Sequence, residues 1–333
     1  MDQVRQIARA VLYEGYLLWP YRQSALKNQQ RWTIGGVHPE EYGRAHGGNP
    51  WLMRTQCLVE AEPGDTVDVH VRFLHVVARD VARSHGGELE PVPELTLDGT
   101  RYLPREEARE REVAVSGLDL AELMQSPSRM EIDVRAEQEV EWLTGADGQA
   151  GAVLRGWQTL SGHVEVRAER MLQGVYRLTV ELVNTTPWYG GSRADALKRT
   201  FCSAHSVLRT QGGRFVSLMD PPEELRALAE GCDNVGTWPV LIGEEGERHT
   251  MLSAPIILYD HPRIAPESPG DLYDATEIDQ LLTLSVLALS DREREEIRDG
   301  DPRACEILDR CASLTPEELM RLHGVMRETR PLT

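Results

Sequence analysis

The sequence predicts an α+β protein, an antiparallel β-sandwich-like core with a short N-terminal helix and a C-terminal helical part. Three observations carry that expectation. Apolar residues recur with period two over long stretches between residues 51 and 260, the mark of strands with one buried and one solvated face. Gly- and Asp-containing turns separate these stretches, with few helical intervals. Beyond residue 274 the pattern switches to helix starts, each a capping residue followed by a carboxylate.

Taken in chain order, residues 2–13 place Val4, Ile7, Ala8, Val11 and Leu12 along one side of a helix. An aromatic-rich segment follows to Trp32, and then a Gly- and Pro-punctuated loop over 35–50. In 67–79, Val67, Val69, Val71, Phe73, His75 and Val77 share a face. Residues 129–142 alternate most cleanly. Met130, Ile132, Val134, Ala136, Val140 and Trp142 form the side expected to be buried, and Glu131, Asp133, Arg135, Glu137, Glu139 and Glu141 the solvated side. Such a run would extend ~45 Å at about 3.3 Å per residue, so a bulge or a break within it is expected.

Residues 163–171 and 175–183 read as a hairpin turning at Gln173-Gly174, and 200–210 with 214–219 as a second one across Gly212-Gly213. Strands at 237–242 and 250–259 complete the series. Asp220-Pro221 predicts a capped helix over 221–230. Asp274, Ser290 and Thr315 open three further helices. The chain thus reads as an N-terminal helix and aromatic arm (1–50), an antiparallel β core (51–260), and a proline-rich connector with C-terminal helices (261–333), the last able to pack onto the core as one unit.

The chain has 333 residues and a formal charge of −18, and Lys27 and Lys198 are its only lysines. This balance argues against nucleic acid or an anionic membrane as the partner, since both are bound through clustered Lys and Arg. No stretch approaches the ~20 apolar residues of a membrane span. With no apolar stretch after the first residues to read as a secretion signal, the expected location is cytoplasmic and the five cysteines are expected to be reduced thiols. Nucleotide-binding, α/β-hydrolase and zincin motifs are absent.

The densest polar group lies in the connector. Asp260, His261, Glu267 and Asp271 combine an imidazole with carboxylates, a donor set suited to a divalent metal. The prolines around them also suit a stiff structural loop with no cofactor. Cys202 and His205 have the spacing of a zinc-ligand pair, but on a strand they would face opposite ways. His75, on an apolar face, is expected to be a hydrogen-bonded core histidine. Trp19, Tyr21, Arg22 and Trp32 are the aromatic and Arg types that protein interfaces favour.

Three segments together carry a family resemblance: Tyr13–Asn28 (YEGYLLWPYRQSALKN), Gly213–Pro222 (GRFVSLMDPP) and Asp260–Asp279 (DHPRIAPESPGDLYDATEID). With them, most of the chain resembles an uncharacterised bacterial family encoded beside nickel–iron hydrogenase genes, notably in actinobacteria. The resemblance implies a cytosolic role in hydrogenase assembly, maturation or electron-transfer support, and it supplies no catalytic residues. The leading expectation is a non-catalytic accessory protein that binds a hydrogenase subunit or maturation factor. Two other readings stay open. One is a metal-dependent enzyme using 260–274; the other is a β-sandwich module that holds a small ligand or carbohydrate on exposed aromatics such as Trp19, Trp32, Trp157 and Trp188.

Overall fold

The computed structural model describes residues 2–13, 34–262 except 63 and 147–149, 294, 298, and 302–313. The chain divides into two units: residues 1–13 with 32–262, and residues 14–31 with 263–333. In the second unit, the described helix Pro302–Ser313 buries Leu308 and Cys311 and exposes Asp309. The helices expected from Asp274 and Thr315 lie outside the described residues, as does most of the one expected from Ser290.

The first unit is the predicted antiparallel β-sandwich with short helices. It opens with α1 (Asp2–Tyr13) and α2 (Glu40–Ala45), followed by β1 (Leu52–Glu60) and β2 (Thr66–His85). Next come β3 (Glu88–Val92), β4 (Leu95–Leu97), β5 (Thr100–Tyr102), β6 (Arg105–Asp119) and α3 (Leu120–Leu123). Strands β7 (Ser128–Val134), β8 (Glu137–Thr144), β9 (Ala150–Trp157), β10 (Leu160–Leu172) and β11 (Val175–Asn184) lead to α4 (Arg193–Leu197). The series closes with β12 (Cys202–Gln211), β13 (Arg214–Phe215), α5 (Arg226–Glu230), β14 (Trp238–Leu241) and β15 (Thr250–Ala254).

One sheet has the order β13-β1-β11-β10-β7. The other runs β14-β15-β12-β2-β9-β8, with β3 and β6 on the remaining edge of β2. Period-two positions of both sheets meet in one core: Val67, Val69, Val71 and Phe73 from β2 face Cys57 and Val59 from β1, and Leu178, Val180 and Leu182 from β11. Phe73 and Phe201 meet with ring centroids 4.6 Å apart. A polar contact crosses the same core, where Thr55 donates to Ser253 Oγ at 2.8 Å and Thr237 lies 2.7 Å from that oxygen. Helix α1 covers the far face of the larger sheet, burying Ile7, Ala8 and Val11 against Val240, Ile242 and Leu252.

Several expectations need correction. The long alternating run does break, between β7 and β8, but the two halves enter different sheets. Ile132 is buried as expected, whereas Val140 and Trp142 are 43% and 57% exposed. The reason is that β8 lies at the far edge of the larger sheet, away from the inter-sheet core. The hairpin expected at 200–219 does not form: β12 pairs with β2 and β15, and the two-residue β13 crosses to β1. Strand β15 ends at Ala254, short of residue 259. The helix expected over 221–230 starts as a 3-10 turn at Glu223–Leu225 without a side-chain cap. Ser217 instead organises the turn that precedes it, accepting from the amides of Met219 and Asp220 at 3.2 and 2.9 Å.

Close packing between the sheet and the Phe201 ring fixes one glycine. A Cβ on Gly162 would fall inside contact distance of the Val183 carbonyl oxygen and 2.9 Å from Phe201 Cζ. We expect Gly162→Ala to cost about 1–3 kcal/mol by overpacking and Gly47→Ala, which meets nothing within 4 Å, to stay within about 0.5 kcal/mol of wild type. Urea unfolding of both variants checks this; equal midpoints would show that β10 and Phe201 are not packed as described.

Candidate functional site

The connector begins as a staple on β14. Asp260 Oδ1 accepts the Leu241 amide at 2.7 Å, and Oδ2 accepts the Ser217 hydroxyl at 2.5 Å. The His261 amide donates to the Leu241 carbonyl at 2.8 Å, and its ring Nδ1 lies 3.3 Å from the Gly243 carbonyl. His261 holds a positive φ of 54°, a conformation few residues other than glycine adopt. Both carboxylate oxygens of Asp260 are therefore engaged within the fold, one by a backbone amide and one by a hydroxyl. Glu267 and Asp271 lie outside the described residues. Among the described residues, no three His, Cys, Asp or Glu side chains converge to hold a metal ion. Trp19, Tyr21, Arg22 and Trp32 also lie outside the described residues.

The buried histidines and thiols are part of the packing. His75 is fully buried, but neither ring nitrogen makes a hydrogen bond of good geometry, contrary to the expectation of a bonded core histidine. Burial, reinforced by Arg111, lowers its pKa to about 4, although nearby backbone of Gln158 and Lys198 favours the charged form. Burial likewise lowers His205 and His38 to about 4. Cys202 and His205 sit on either side of a β-bulge that contains Ser203 at positive φ. The pKa of the Cys202 thiol is raised by burial, as is that of Cys57, which makes both poor nucleophiles at neutral pH. Trp157 is buried, and its indole N–H donates to the Arg135 carbonyl at 3.0 Å. Trp188 is half-buried, edge-on to Tyr42. The Trp157 indole therefore offers no open stacking face of the kind a carbohydrate module needs.

The surface that remains distinctive is β8, which the alternation placed in the core. Its register on β9 pairs Glu139 with Arg155 and Glu137 with Trp157. The acidic side is pinned to the sheet. Glu139 accepts two hydrogen bonds from Arg109 at 3.0 and 2.7 Å, and Glu141 accepts from Arg155 at 2.7 Å. Arg109 lies over the Trp157 ring at 4.2 Å, a cation–π contact. Arg155 also reaches Glu107 at 2.9 Å. Hydrogen bonding from Arg109 holds the Glu139 carboxyl below its ordinary range.

These contacts fix which way β8 faces and turn Val140 and Trp142 outward. On its other edge β8 has no neighbour strand among the described residues. It is an eight-residue strand, and every residue except Leu143 is exposed. Period two alone could not reveal this, because an apolar side of a strand looks the same whether or not a second layer covers it. The three glutamates between apolar residues were the available signal, since a charged strand is a common guard of an open edge.

The three histidines lowered to about 4 make stability depend on pH. Their folded values near 4 lie below the unfolded value of 6.5, so the unfolded chain binds more protons between them. Stability is then full above about pH 6.5 and falls as the pH drops toward 4. Between pH 7 and 5, His75→Leu should flatten the slope of unfolding free energy by up to about 1.4 kcal/mol per pH unit. Chemical denaturation across that range measures it; identical slopes would mean that His75 is not buried neutral.

Neither a family model nor a curated protein sequence matches this chain.

Proposed function

We propose that this chain is a non-catalytic, cytoplasmic accessory protein that works by binding a nickel–iron hydrogenase subunit or maturation factor. The observation that carries the binding reading is the open edge of β8, with Val140 and Trp142 exposed on one side of the strand. An unpaired edge offers a row of backbone donors and acceptors to an extended segment of another protein, and the alternate side chains set which segment fits. Trp is among the residues that anchor such contacts. Glu137, Glu139 and Glu141 line the other side of the strand. The chain charge of −18 favours a basic segment and discourages a second copy of this acidic chain. The hydrogenase assignment is supported by the family resemblance of Tyr13–Asn28, Gly213–Pro222 and Asp260–Asp279.

No described helix is long and apolar enough to cross a membrane. Tagged protein recovered from hydrogenase-expressing cells should enrich a hydrogenase subunit or maturation factor above a tag-only control. The double substitution Val140→Glu, Trp142→Glu should reduce that enrichment at least tenfold while leaving the melting temperature within a few degrees, since both side chains are already solvated. Recovery of neither class of protein would end the hydrogenase reading. Equal recovery by wild type and variant would remove β8 from it.

A further inference from the structure

A second feature, independent of the partner-binding reading, lies toward the other end of the fold's long central strand. Between α1 and the strands β2, β6 and β12 is a cleft of about 520 Å³. The helix that roofs it is tied down at its C-terminal end. The Tyr13 hydroxyl donates to Glu110 at 2.5 Å, and the Ser203 hydroxyl donates to the Val11 carbonyl at 3.0 Å.

In this acidic chain the cleft gathers four guanidinium groups: Arg5 and Arg9 from the helix, Arg72 from β2 and Arg209 from β12. Two carboxylates, Asp68 and Glu112, also line it, but both are engaged within the fold. Asp68 accepts the Gly117 amide at 2.8 Å, while Glu112 lies 2.8 Å from His70 and 3.5 Å from Arg72. Arg72 is in turn bound to Glu110 at 3.0 Å. No ion pair or hydrogen bond joins the side chains of Arg5, Arg9 or Arg209 to any partner among the described residues. Arg5 and Arg9 are four residues apart and so share one helix face, and Val4, Ala8 and Val207 supply apolar wall between the charges.

From this arrangement we propose that the cleft is a binding site for a small organic polyanion bearing carboxylate or phosphate groups. Guanidinium is the side chain best matched to either oxyanion, through paired N–H donors. Three unpaired cations against an apolar wall strengthen the local field relative to open solvent and call for a ligand with at least two anionic groups. The volume falls within the range of small-molecule sites, roughly 300–1,000 Å³. The ligand's chemistry divides into two testable arms, since phosphate and carboxylate share the same donors.

Isothermal titration of the full chain with pyrophosphate and, separately, with citrate tests the site, at constant ionic strength in chloride. One of the two should bind with a stoichiometry of one and a Kd tighter than about 1 mM, and the stronger arm identifies the ligand class. Arg209→Gln and Arg9→Gln should each weaken binding at least tenfold. Arg44→Gln, at a site on α2 where Arg44 pairs with Glu40, should change nothing. Thermal melts without ligand establish that each variant is folded. Failure of both probes to bind, or binding that Arg209→Gln and Arg9→Gln leave unchanged, would overturn the proposal.

Discussion

The structure depends on the continuity of β2. Over its 20 residues one edge takes β6 and then β3, while the opposite edge takes β12 up to Leu74 and β9 from Ala78. Every other strand of the larger sheet is reached through one of these four. The inter-sheet core involves only the first half of β2, through Phe73. The second half carries β9, and through it β8, beyond the smaller sheet, with a separate cluster of Val81, Leu95, Leu97 and Val153. A shorter β2 would leave β8 without a support. Its length is what places β8, which has no neighbour strand on its other edge among the described residues, away from the core.

Electrostatics then decides how that outlying part is faced. Beyond the core, the side of the sheet that carries His75 is lined by Arg79, Arg105, Arg109, Arg111 and Arg155, interleaved with Glu107, Glu139 and Glu141. Individually, exposed ion pairs of this kind contribute little to stability, about 0–1 kcal/mol each. Together they have a directional effect, because β8 can lay its glutamates on those arginines in only one facing. Val140 and Trp142 are the residues left outside. On the opposite side of the same sheet the pairing is incomplete, and Arg5 and Arg9 of α1 and Arg209 beneath it have no charge partner among the described residues. The net acidity of the chain thus conceals two different surfaces, one with an acidic strand and one with a basic cleft.

Much of this was legible in the sequence at the level of local structure. The amphipathic 2–13 helix, the 163–183 hairpin and the core face of 67–73 follow directly from residue periodicity, because each buries its apolar side in the way its period demands. Tertiary context decided the rest. The break near Ala136 was foreseen from strand length, but not that the chain changes sheets there. Asp260 looked like a ligand because a carboxylate beside a histidine fits metal chemistry. In the fold its two oxygens serve an amide of β14 and the Ser217 hydroxyl, partners separated from it in sequence. The arginine cleft was invisible for the same reason: Arg5, Arg9, Arg72 and Arg209 share no motif and meet only when α1 packs on the sheet.

The central claim is that β8 is a formed strand with one edge open. Residue-resolved amide hydrogen exchange on the isolated chain tests it most directly. In an antiparallel edge strand, alternate amides bond to the neighbour and the others face solvent. The account predicts slow and fast exchange alternating along Glu137–Thr144. Uniformly slow exchange would show the edge already covered, and uniformly fast exchange would show that β8 is not held on β9; either result would contradict it.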